Sequence, residues 1–506
     1  MKTKRTFYNS IASLFYYFLT ILLGIVNRRA VIIILGIEYQ GINGLFSNVL
    51  SMLSIAELGI GTAIIYHLYK PLAENRIDEI QSIMYFYRKC YWFISAVIFF
   101  LGILIIPLLP FIVTENELPF SLGSIYIWFL LDSVVSYLFT YKRSIIIADQ
   151  QNYIVISCDI LYQLFVKTGQ IIILWLSHNF IWYLSVMVAG RFLENLLINI
   201  IANKKYPYLI SAKVSPLPKE ILNDIYRKVH GTIFHKIGAF IVLGIDNILI
   251  VKFLGLTVAG IYSNYFLIIN SVQNICYQIV TAATASVGHI IAENDKVKIF
   301  SIFNELQLLN TALLTWISSG IYCVATPVIA LLFGEDYILS DFTLLILSIN
   351  LYMQGMRAVF SIFKETAGIL YEDRFVPLWE SIINLAASIL FLQNFGLAGI
   401  FMGTILSSLI LYLYTYPILV YKKVLGRTVR EYYREFLWIS VLGIISIFCS
   451  KAVCNQIVLE SRFSQIAIYT FISSITAWLI FILAYALWKK ESLKLIVRIK
   501  NIFSST

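Results

Sequence analysis

The feature that most restricts the fold of this chain is a series of apolar runs, each roughly 20 residues long, separated by short polar segments. A helix of that length crosses the hydrocarbon core of a bilayer, which is about 30 Å thick. Only helices and closed barrels satisfy their backbone hydrogen bonds inside a membrane, and barrel strands need alternating apolar and polar residues. The chain is 59% hydrophobic and only 13% charged. We therefore expect an all-α polytopic membrane protein.

The apolar runs predict about fourteen transmembrane helices. Their approximate ranges are 9–35, 42–69, 84–112, 120–141, 153–176, 179–202, 230–252, 258–291, 303–332, 341–363, 376–393, 397–420, 435–454 and 465–488. If the N-terminus lies inside, the outside loops hold only three basic residues, Lys252, Lys451 and Arg462. Lysine and arginine collect on the cytoplasmic side of membrane proteins. This bias predicts cytoplasmic N- and C-termini and accounts for the net charge of +10 without a nucleic-acid partner.

The longest inside loop, 203–229, carries three prolines among its charges and indicates a linker between two halves. We predict an N-lobe of six spans over residues 1–202, this linker, and a C-lobe of six spans over 230–424. Residues 425–506 then form a C-terminal helix pair, spans thirteen and fourteen, with a basic cytoplasmic tail. The last two spans carry almost no polar residues in their central parts, which favours a peripheral position facing lipid.

The two halves share a short motif at matching places. LGIEYQGI at 35–42 joins the first and second spans, and LGLTVAGI at 254–261 joins the seventh and eighth. Both follow the pattern Leu-Gly-x4-Gly-Ile, which indicates a duplicated unit of about six helices. Transporters are commonly built from such repeats, with the substrate site between them. We expect a central cavity between the two lobes.

Charged and amide side chains inside the predicted spans are the candidates for lining that cavity, because charge within a membrane normally faces a cavity or a partner. Isolated Asn, Ser or Gln residues are explained by hydrogen bonds between helices, whereas polar stripes on six helices favour a shared hydrated cavity. The substrate-binding candidates are Arg28, Arg29, Arg191, His235, Lys236, Arg357, Asn274, Gln278 and Gln354.

Arg28 and Arg29 stand side by side in the first span. The fork of an arginine guanidinium suits bidentate binding of phosphate oxygens, so an anionic, phosphate-bearing substrate explains the pair. The alternative is two side chains that extend to the outer membrane interface.

Some of the buried charges are expected to neutralise one another. Arg191 and Glu194, three residues apart, should pair, which leaves Arg191 evenly divided between a structural and a substrate-binding role. Lys167 and Asp159, two turns apart, are expected to be structural. His235 and Asp246 should share one helix face, because eleven residues make three turns.

Several stretches resemble the Wzx-like polysaccharide flippases of the multidrug/oligosaccharidyl-lipid/polysaccharide exporter superfamily. They are EYQGINGLFSNVLSMLSIAELGIGTAI at 38–64, FHKIG at 234–238, DNILIVKFLGLTVAGIYSNY at 246–265, and ESIINLAASI followed by GLAGIFMGTILSSL within 380–409. The resemblance runs along nearly the whole chain. It implies two six-helix lobes that work by alternating access. It also implies cations in the cavity that engage a diphosphate, a role that Arg28, Arg29, His235 and Lys236 match by position.

The resemblance implies a multi-pass protein of the bacterial cytoplasmic membrane. It would flip undecaprenyl-diphosphate-linked oligosaccharide repeat units to the outer leaflet for surface polysaccharide export. Its expected partners are that lipid-linked oligosaccharide, membrane lipids and the polysaccharide polymerase machinery. No cofactor is expected. The membrane potential or a proton or sodium gradient would drive flipping, with Glu57 and Asp246 as coupling candidates.

Two other classes stay open. A multidrug or metabolite antiporter of the same superfamily would export organic cations, and its cavity would favour carboxylates and aromatic side chains over the several cations found here. A membrane polysaccharide polymerase or ligase would need a large outside loop, and every predicted outside loop is short. The sequence contains no GxxxxGK[ST] motif and no zinc-ligand spacing. We therefore expect a transporter rather than an enzyme.

Overall fold

The computed structural model describes residues 2–57, 60–113, 119–138, 140–210, 216–369 and 372–488. These residues are helical apart from turns and short connections, and they contain no β-strand. Contacts between residues divide the chain into two units, Met1–Gly260 (unit 1) and Ile261–Thr506 (unit 2). The all-α fold predicted from the apolar runs is confirmed.

Unit 1 follows the chain through a succession of helices with short connections. They are α1 (Lys2–Ile34), α2 (Glu38–Leu53), α3 (Ile60–Ala73), α4 (Ile77–Ile105), α5 (Leu109–Ile112), α6 (Leu122–Leu138), α7 (Thr140–Ala148), α8 (Asn152–Ser177), α9 (Phe180–Lys205) and the first part of α10 (Lys219–Thr281). One-turn 3₁₀ helices lie at Ser54–Glu57, Ile106–Leu108 and Pro207–Ile210. Helix α8 packs against both α1 and α9, and α6 also packs against α9.

The 63 residues of α10 do not form one straight helix. At 1.5 Å per residue they would extend about 95 Å, about three times the thickness of the hydrocarbon core. Gly255 interrupts the helix with φ 87° and ψ 172°. Glycine adopts this backbone conformation without the steric cost that a side chain brings. The two parts, 219–254 and 256–281, correspond to the separate seventh and eighth spans of the prediction.

Unit 2 contains the second part of α10 and seven further helices among the described residues. These are α11 (Thr284–Glu293), α12 (Lys296–Leu332), α13 (Asp341–Thr366), α14 (Val376–Phe395), α15 (Leu397–Ile410), α16 (Val429–Asn455) and α17 (Arg462–Trp488). Helix α15 continues as a π-helix over Leu411–Val424. The core is strongly aromatic: the ring of Phe303 meets those of Phe360, Phe363 and Tyr421 edge to face, with centroids 5.2–5.5 Å apart.

Polar side chains fix where several helices begin. Asn179 accepts a hydrogen bond from the backbone N–H of Ile181 at the start of α9. Asp295 caps α12, Ser340 caps α13 and Thr428 caps α16 in the same way. A side-chain oxygen at this position satisfies a backbone donor that has no partner within the helix. These caps define the ends of apolar segments that hydropathy alone locates only approximately.

Eleven of the described helices are long and apolar enough to cross a membrane, or twelve if the bent pair Leu122–Leu138 and Thr140–Ala148 forms one span. The prediction of fourteen differs from this count in two places. It splits α10 at Gly255, and it treats α2 and α3 as one second span, whereas a 3₁₀ turn follows α2 at Ser54–Glu57. The chain is a multi-pass membrane protein.

The last two helices expose large apolar side chains. Helix α17 packs against α12 and α16, while Phe471, Leu479 and Leu483 on it are each more than half exposed. Side chains of this kind are stable in contact with lipid tails. The peripheral, lipid-facing position of this helix pair stays a prediction.

The duplicated Leu-Gly-x4-Gly-Ile motifs contact each other within unit 1, and the contact is reciprocal. A Cβ atom added to Gly41 would lie 2.2 Å from the backbone oxygen of Leu256, and one added to Gly260 would lie 2.3 Å from the backbone oxygen of Ile37. Ile37 and Leu256 occupy the same position of the two motifs, as do Gly41 and Gly260. The motif therefore encodes close approach of two backbones.

The first glycine of each motif also has a common role. Gly36 has a φ of 115° and Gly255 a φ of 87°, so both end a helix with a backbone that favours glycine. Between the motifs, Thr257 Oγ1 donates a hydrogen bond to Glu38 Oε1 at 2.9 Å. These two residues again hold equivalent motif positions. The internal repeat predicted from eight-residue matches has this structural counterpart.

Candidate functional site

Five charged side chains form a network inside unit 1, where α6, α7, α8 and α9 meet. Arg143 donates to Asp159 Oδ1 at 2.8 Å and to Glu194 Oε1 at 2.6 Å. Arg191 donates to Glu194 Oε2 at 2.9 Å and to Asp132 Oδ1 at 3.4 Å. The side chain of Glu194 is only 2% exposed and joins the two guanidinium groups. The network links four helices.

The predicted pairing of Arg191 with Glu194 is confirmed. Arg191 also lies over the ring of Tyr162, 4.3 Å from its centroid. Arg191 thus contacts two carboxylates and an aromatic ring. These contacts favour a structural role for it over substrate binding. Arg143 follows the fourth predicted span, 120–141, and the structure holds it inside this network.

A second cluster of unit 1 brings two cations together. Arg28 on α1 and Lys167 on α8 are half-buried and lie within electrostatic range of each other. Lys167 Nζ donates to Gln170 Oε1 at 3.3 Å. That same oxygen accepts from Asn27 Nδ2 at 3.3 Å, and Tyr183 Oη donates to Asn27 Oδ1 at 2.6 Å. We call these five residues the Lys167 cluster. Asp132 and Arg191 of the charge network also lie within electrostatic range of Lys167.

Lys167 was expected to have a structural partner in Asp159, and this is wrong. Eight residues of helix separate the two by about 12 Å along the axis, too far for an ion pair. Asp159 pairs with Arg143 instead. Among the described residues, no carboxylate lies within 4.0 Å of the Lys167 ammonium nitrogen. Among the described residues, its ammonium group donates to the neutral amide of Gln170.

Arg29 differs from its neighbour, because its side chain is exposed while that of Arg28 is half-buried. Successive helical residues point about 100° apart, so the two guanidinium groups of α1 do not share one direction. Only Arg28 takes part in the Lys167 cluster.

Glu57 lies at the end of a chain of hydroxyl groups. Ser144 Oγ donates to Tyr87 Oη at 3.1 Å, Tyr87 Oη donates to Tyr91 Oη at 3.1 Å, and Tyr91 Oη donates to Glu57 Oε1. A Cβ atom at Gly61 would lie 3.0 Å from Glu57 Oε1 and from both tyrosine hydroxyls. In the part of the chain that the structure describes, no basic side chain pairs with this carboxylate.

Arg357 of unit 2 forms an ion pair with Glu380 on α14, and the same Nη2 also donates to Ser408 on α15. Gln354, one turn earlier on α13, donates to Ser408 Oγ at 3.0 Å. A cavity of about 190 Å³ lies beside these side chains. We call it the Arg357 cavity. Its lining includes Gln273, Tyr277, Asn310, Gln354, Arg357 and Ser361.

The other predicted site residues are more widely spread. Asn274 is half-buried and Gln278 exposed, and neither lines the Arg357 cavity, which Gln273 and Tyr277 reach from the same helix. Asp246 is half-buried on α10. His235 and Lys236 also lie on α10, but their side chains fall outside the described part of the structure.

The structure can be compared with solved structures at the level of its fold. Many apolar helices enclose charged and amide groups, which is typical of proteins that pass polar molecules through a membrane. The fold is similar to that of a lipid flippase and of MATE transporters in solved structures. Three solved structures carry this comparison, and each shares 14% sequence identity with the chain.

The chain is similar to the lipid II flippase MurJ in an inward closed conformation, with a TM-score of 0.66 over 96% of this chain and 99% of that one. It is also similar to an inward-facing multidrug resistance MATE transporter, with a TM-score of 0.59 over 78% of this chain and 91% of the other. The Vibrio cholerae MATE transporter VcmN matches with a TM-score of 0.57, covering 84% and 99% of the two chains. A scan against family models finds no match, and no curated protein matches by sequence.

Sequence reasoning missed three residues that the structure places at these sites. Lys167 was assigned to Asp159, although the distance along a helix argues against that pair. Arg143 lies just beyond the predicted fourth span, and only tertiary contacts bring it to Asp159 and Glu194. Gln273 lies one position before the predicted candidate Asn274, and no pattern in the sequence distinguishes it.

Proposed function

We propose that this protein flips undecaprenyl-diphosphate-linked oligosaccharide units from the inner to the outer leaflet of the bacterial cytoplasmic membrane by alternating access. The observation that carries the proposal is the Lys167 cluster. Two half-buried cations lie near each other within the apolar helices, and the ammonium of Lys167 has no carboxylate partner among the described residues. Burying such a charge is costly, and an anionic substrate would offset that cost.

The chemistry of the Lys167 cluster suits a diphosphate. An ammonium group provides three donors and a guanidinium five, and hydrogen bonds between charged groups are about twice as strong as neutral ones. The amides of Asn27 and Gln170 and the hydroxyl of Tyr183 hold the helices that carry the two cations. In this proposal Arg28 and Lys167 contact the diphosphate while the polyprenyl tail remains in lipid.

The driving force follows from the charge of the substrate. An inside-negative membrane potential favours outward movement of a negative charge by about 2.3 kcal/mol per charge for each 100 mV. A proton gradient could contribute through Glu57, whose carboxylate accepts a hydrogen bond from Tyr91 and has no basic partner in the described part of the chain. Asp246 is the second coupling candidate. With cytoplasmic termini, the substrate would enter from the leaflet where it is assembled.

The test compares three soluble probes of one chain length: farnesyl diphosphate, farnesyl phosphate and farnesol. Binding to the purified protein in nanodiscs is measured by native mass spectrometry. We expect affinity to fall from the diphosphate to the alcohol. The Lys167→Gln variant should bind farnesyl diphosphate about tenfold more weakly, the loss expected for one charged hydrogen bond. Binding of farnesol should not change.

Arg29→Gln serves as the matched control, because it removes one positive charge from an exposed position next to Arg28. It should leave farnesyl diphosphate binding unchanged. Equal affinities for the diphosphate and the alcohol, or wild-type binding by Lys167→Gln, would contradict the proposal.

The second candidate is an exporter of organic cations, which the similarity to MATE transporters keeps open. Such a substrate would need carboxylates at the binding site. In unit 1, Asp132, Asp159 and Glu194 are engaged by arginines. Glu57, which has no basic partner among the described residues, is the carboxylate left for such a substrate. Ethidium transport by proteoliposomes, together with no preference for the diphosphate probe, would favour this candidate over the flippase.

A further inference from the structure

The Arg357 cavity lies within unit 2 and has no assigned role in the diphosphate site. Its volume of about 190 Å³ would hold about six water molecules at about 30 Å³ each. It is smaller than the sites that bind drug-sized ligands, which begin at about 300 Å³. A single sugar ring is a ligand of suitable size.

The lining of the cavity is polar but carries no net charge. Of the residues that line it, only Arg357 is charged, and Glu380 neutralises that charge through an ion pair. A phosphate or a carboxylate would therefore find a cation that already has an anionic partner. The electrostatics favour an uncharged ligand.

The cavity presents hydrogen-bonding groups that the protein does not use. Gln354 uses its amide nitrogen for Asn350 and Ser408, which leaves its carbonyl oxygen as an acceptor. Gln273 makes no side-chain hydrogen bond to the described residues and offers both a donor and an acceptor. Sugar hydroxyls can satisfy donors and acceptors of this kind together.

An aromatic surface completes the lining. Tyr277 lines the cavity and is half-exposed. An aromatic ring supplies a flat apolar face with a polar hydroxyl at one end. The apolar face of a sugar ring can pack on such a surface while its hydroxyls reach the amides of Gln273 and Gln354.

We propose that the Arg357 cavity binds one uncharged sugar ring of the transported molecule. This inference rests on the proposed flippase function and adds to it a sugar subsite formed by α10, α12 and α13 of unit 2. The subsite would distinguish substrates by a neutral sugar, separately from their common diphosphate.

The experiment measures binding of free glycosides to the full-length protein in nanodiscs by saturation-transfer NMR. The probes are the methyl glycosides of glucose, galactose and N-acetylglucosamine, together with methyl glucuronide as the charged counterpart. At least one neutral glycoside should bind more tightly than the glucuronide. Gln273→Leu should weaken that binding about tenfold, the effect of one lost hydrogen bond together with an unsatisfied ligand group.

Gln393→Leu is the matched control, because it makes the same change at an exposed position of α14 in unit 2, outside the cavity lining. It should leave glycoside binding unchanged. Gln273 makes no internal hydrogen bond to the described residues, so its variant should fold, and an unaltered thermal unfolding profile verifies this. Absence of glycoside binding, stronger binding of the glucuronide, or equal losses in both variants would overturn the inference.

A parallel measurement separates the two hypotheses. Farnesyl diphosphate carries no sugar, so its binding should depend on Lys167 and be unaffected by Gln273→Leu. Lys167-dependent binding of farnesyl diphosphate without glycoside binding would overturn the sugar subsite and leave the flippase proposal standing. Cavity-dependent glycoside binding without diphosphate binding would instead contradict the flippase proposal.

Discussion

Charged residues of unit 1 differ in how many oppositely charged partners they contact, and Glu194 contacts two arginines. Each of its carboxylate oxygens accepts from a different arginine, Arg143 or Arg191. A buried ion pair adds little net stability compared with apolar residues, but removing one partner leaves an uncompensated charge. The network is therefore sensitive to loss of this one carboxylate.

Glu194→Gln should lower the free energy of unfolding by roughly 3 kcal/mol, because two buried guanidinium groups lose their shared anion. Thermal unfolding in detergent, followed by size-exclusion fluorescence, measures the change. The control is Glu293→Gln, which alters an exposed pair with Lys298 and should not shift the unfolding temperature. Equal effects of both variants would show that Glu194 is not the centre of the network.

The contrast between Arg191 and Arg143 shows what sequence spacing can predict at this scale. Arg191 and Glu194 are three residues apart on one helix, so their contact follows from helical geometry. Arg143 is 51 residues from Glu194, and only the packing of α7 against α9 brings them together. Local ion pairs were predictable, and the contacts that assemble the site were not.

At the scale of elements, the two glycine motifs bring two backbones of unit 1 into close contact, and the repeat in the sequence indicated where. Gly41→Ala and Gly260→Ala should each reduce the free energy of unfolding by about 1–3 kcal/mol, since the new methyl group overlaps a backbone oxygen that side-chain rotation cannot move. Thermal unfolding of each variant measures this loss.

Gly24→Ala provides the control for these variants. Gly24 lies in α1 with nothing within 4 Å of an added Cβ atom, and alanine is the better helix former. Its stability should be unchanged or slightly higher. If Gly41→Ala were equally harmless, the close approach would not matter for folding.

Most helices were predictable because their apolar runs match the thickness of a membrane. The breaks were less predictable. The motif indicated the positive φ at Gly255. The 3₁₀ turn at Ser54–Glu57 contains no proline or glycine that would indicate a break in the helix. Its geometry places Glu57 beside Tyr91, so the local departure from helix also positions a candidate coupling residue.

At the scale of the whole molecule, the distribution of basic residues predicts the orientation in the membrane. Two of the few basic residues assigned to the outside are paired with acids in unit 2. Lys451 Nζ lies 2.8 Å from Asp341 Oδ1, and Arg462 Nε lies 2.8 Å from Glu335 Oε1. Only three basic residues fall in the predicted outside loops, so the positive-inside bias is strong.

Alkaline phosphatase fusions test this orientation, because the enzyme is active only outside the cytoplasm. A fusion after residue 458 should be active, and fusions within 211–215 or at the C-terminus should be inactive. Green fluorescent protein at the same positions should give the reverse pattern. An active C-terminal phosphatase fusion would place that end outside and reject the orientation.

The mutual contact of the two glycine motifs has a consequence for how such a chain can change over time. Each motif supplies the surface against which the other packs, so neither Gly41 nor Gly260 can accept a larger residue. Ile37 and Leu256 contact the opposing glycines with backbone oxygens. Substituting either side chain would leave these oxygens in place. If the two halves descend from one ancestor, they can diverge elsewhere, but Gly41 and Gly260 must both be kept.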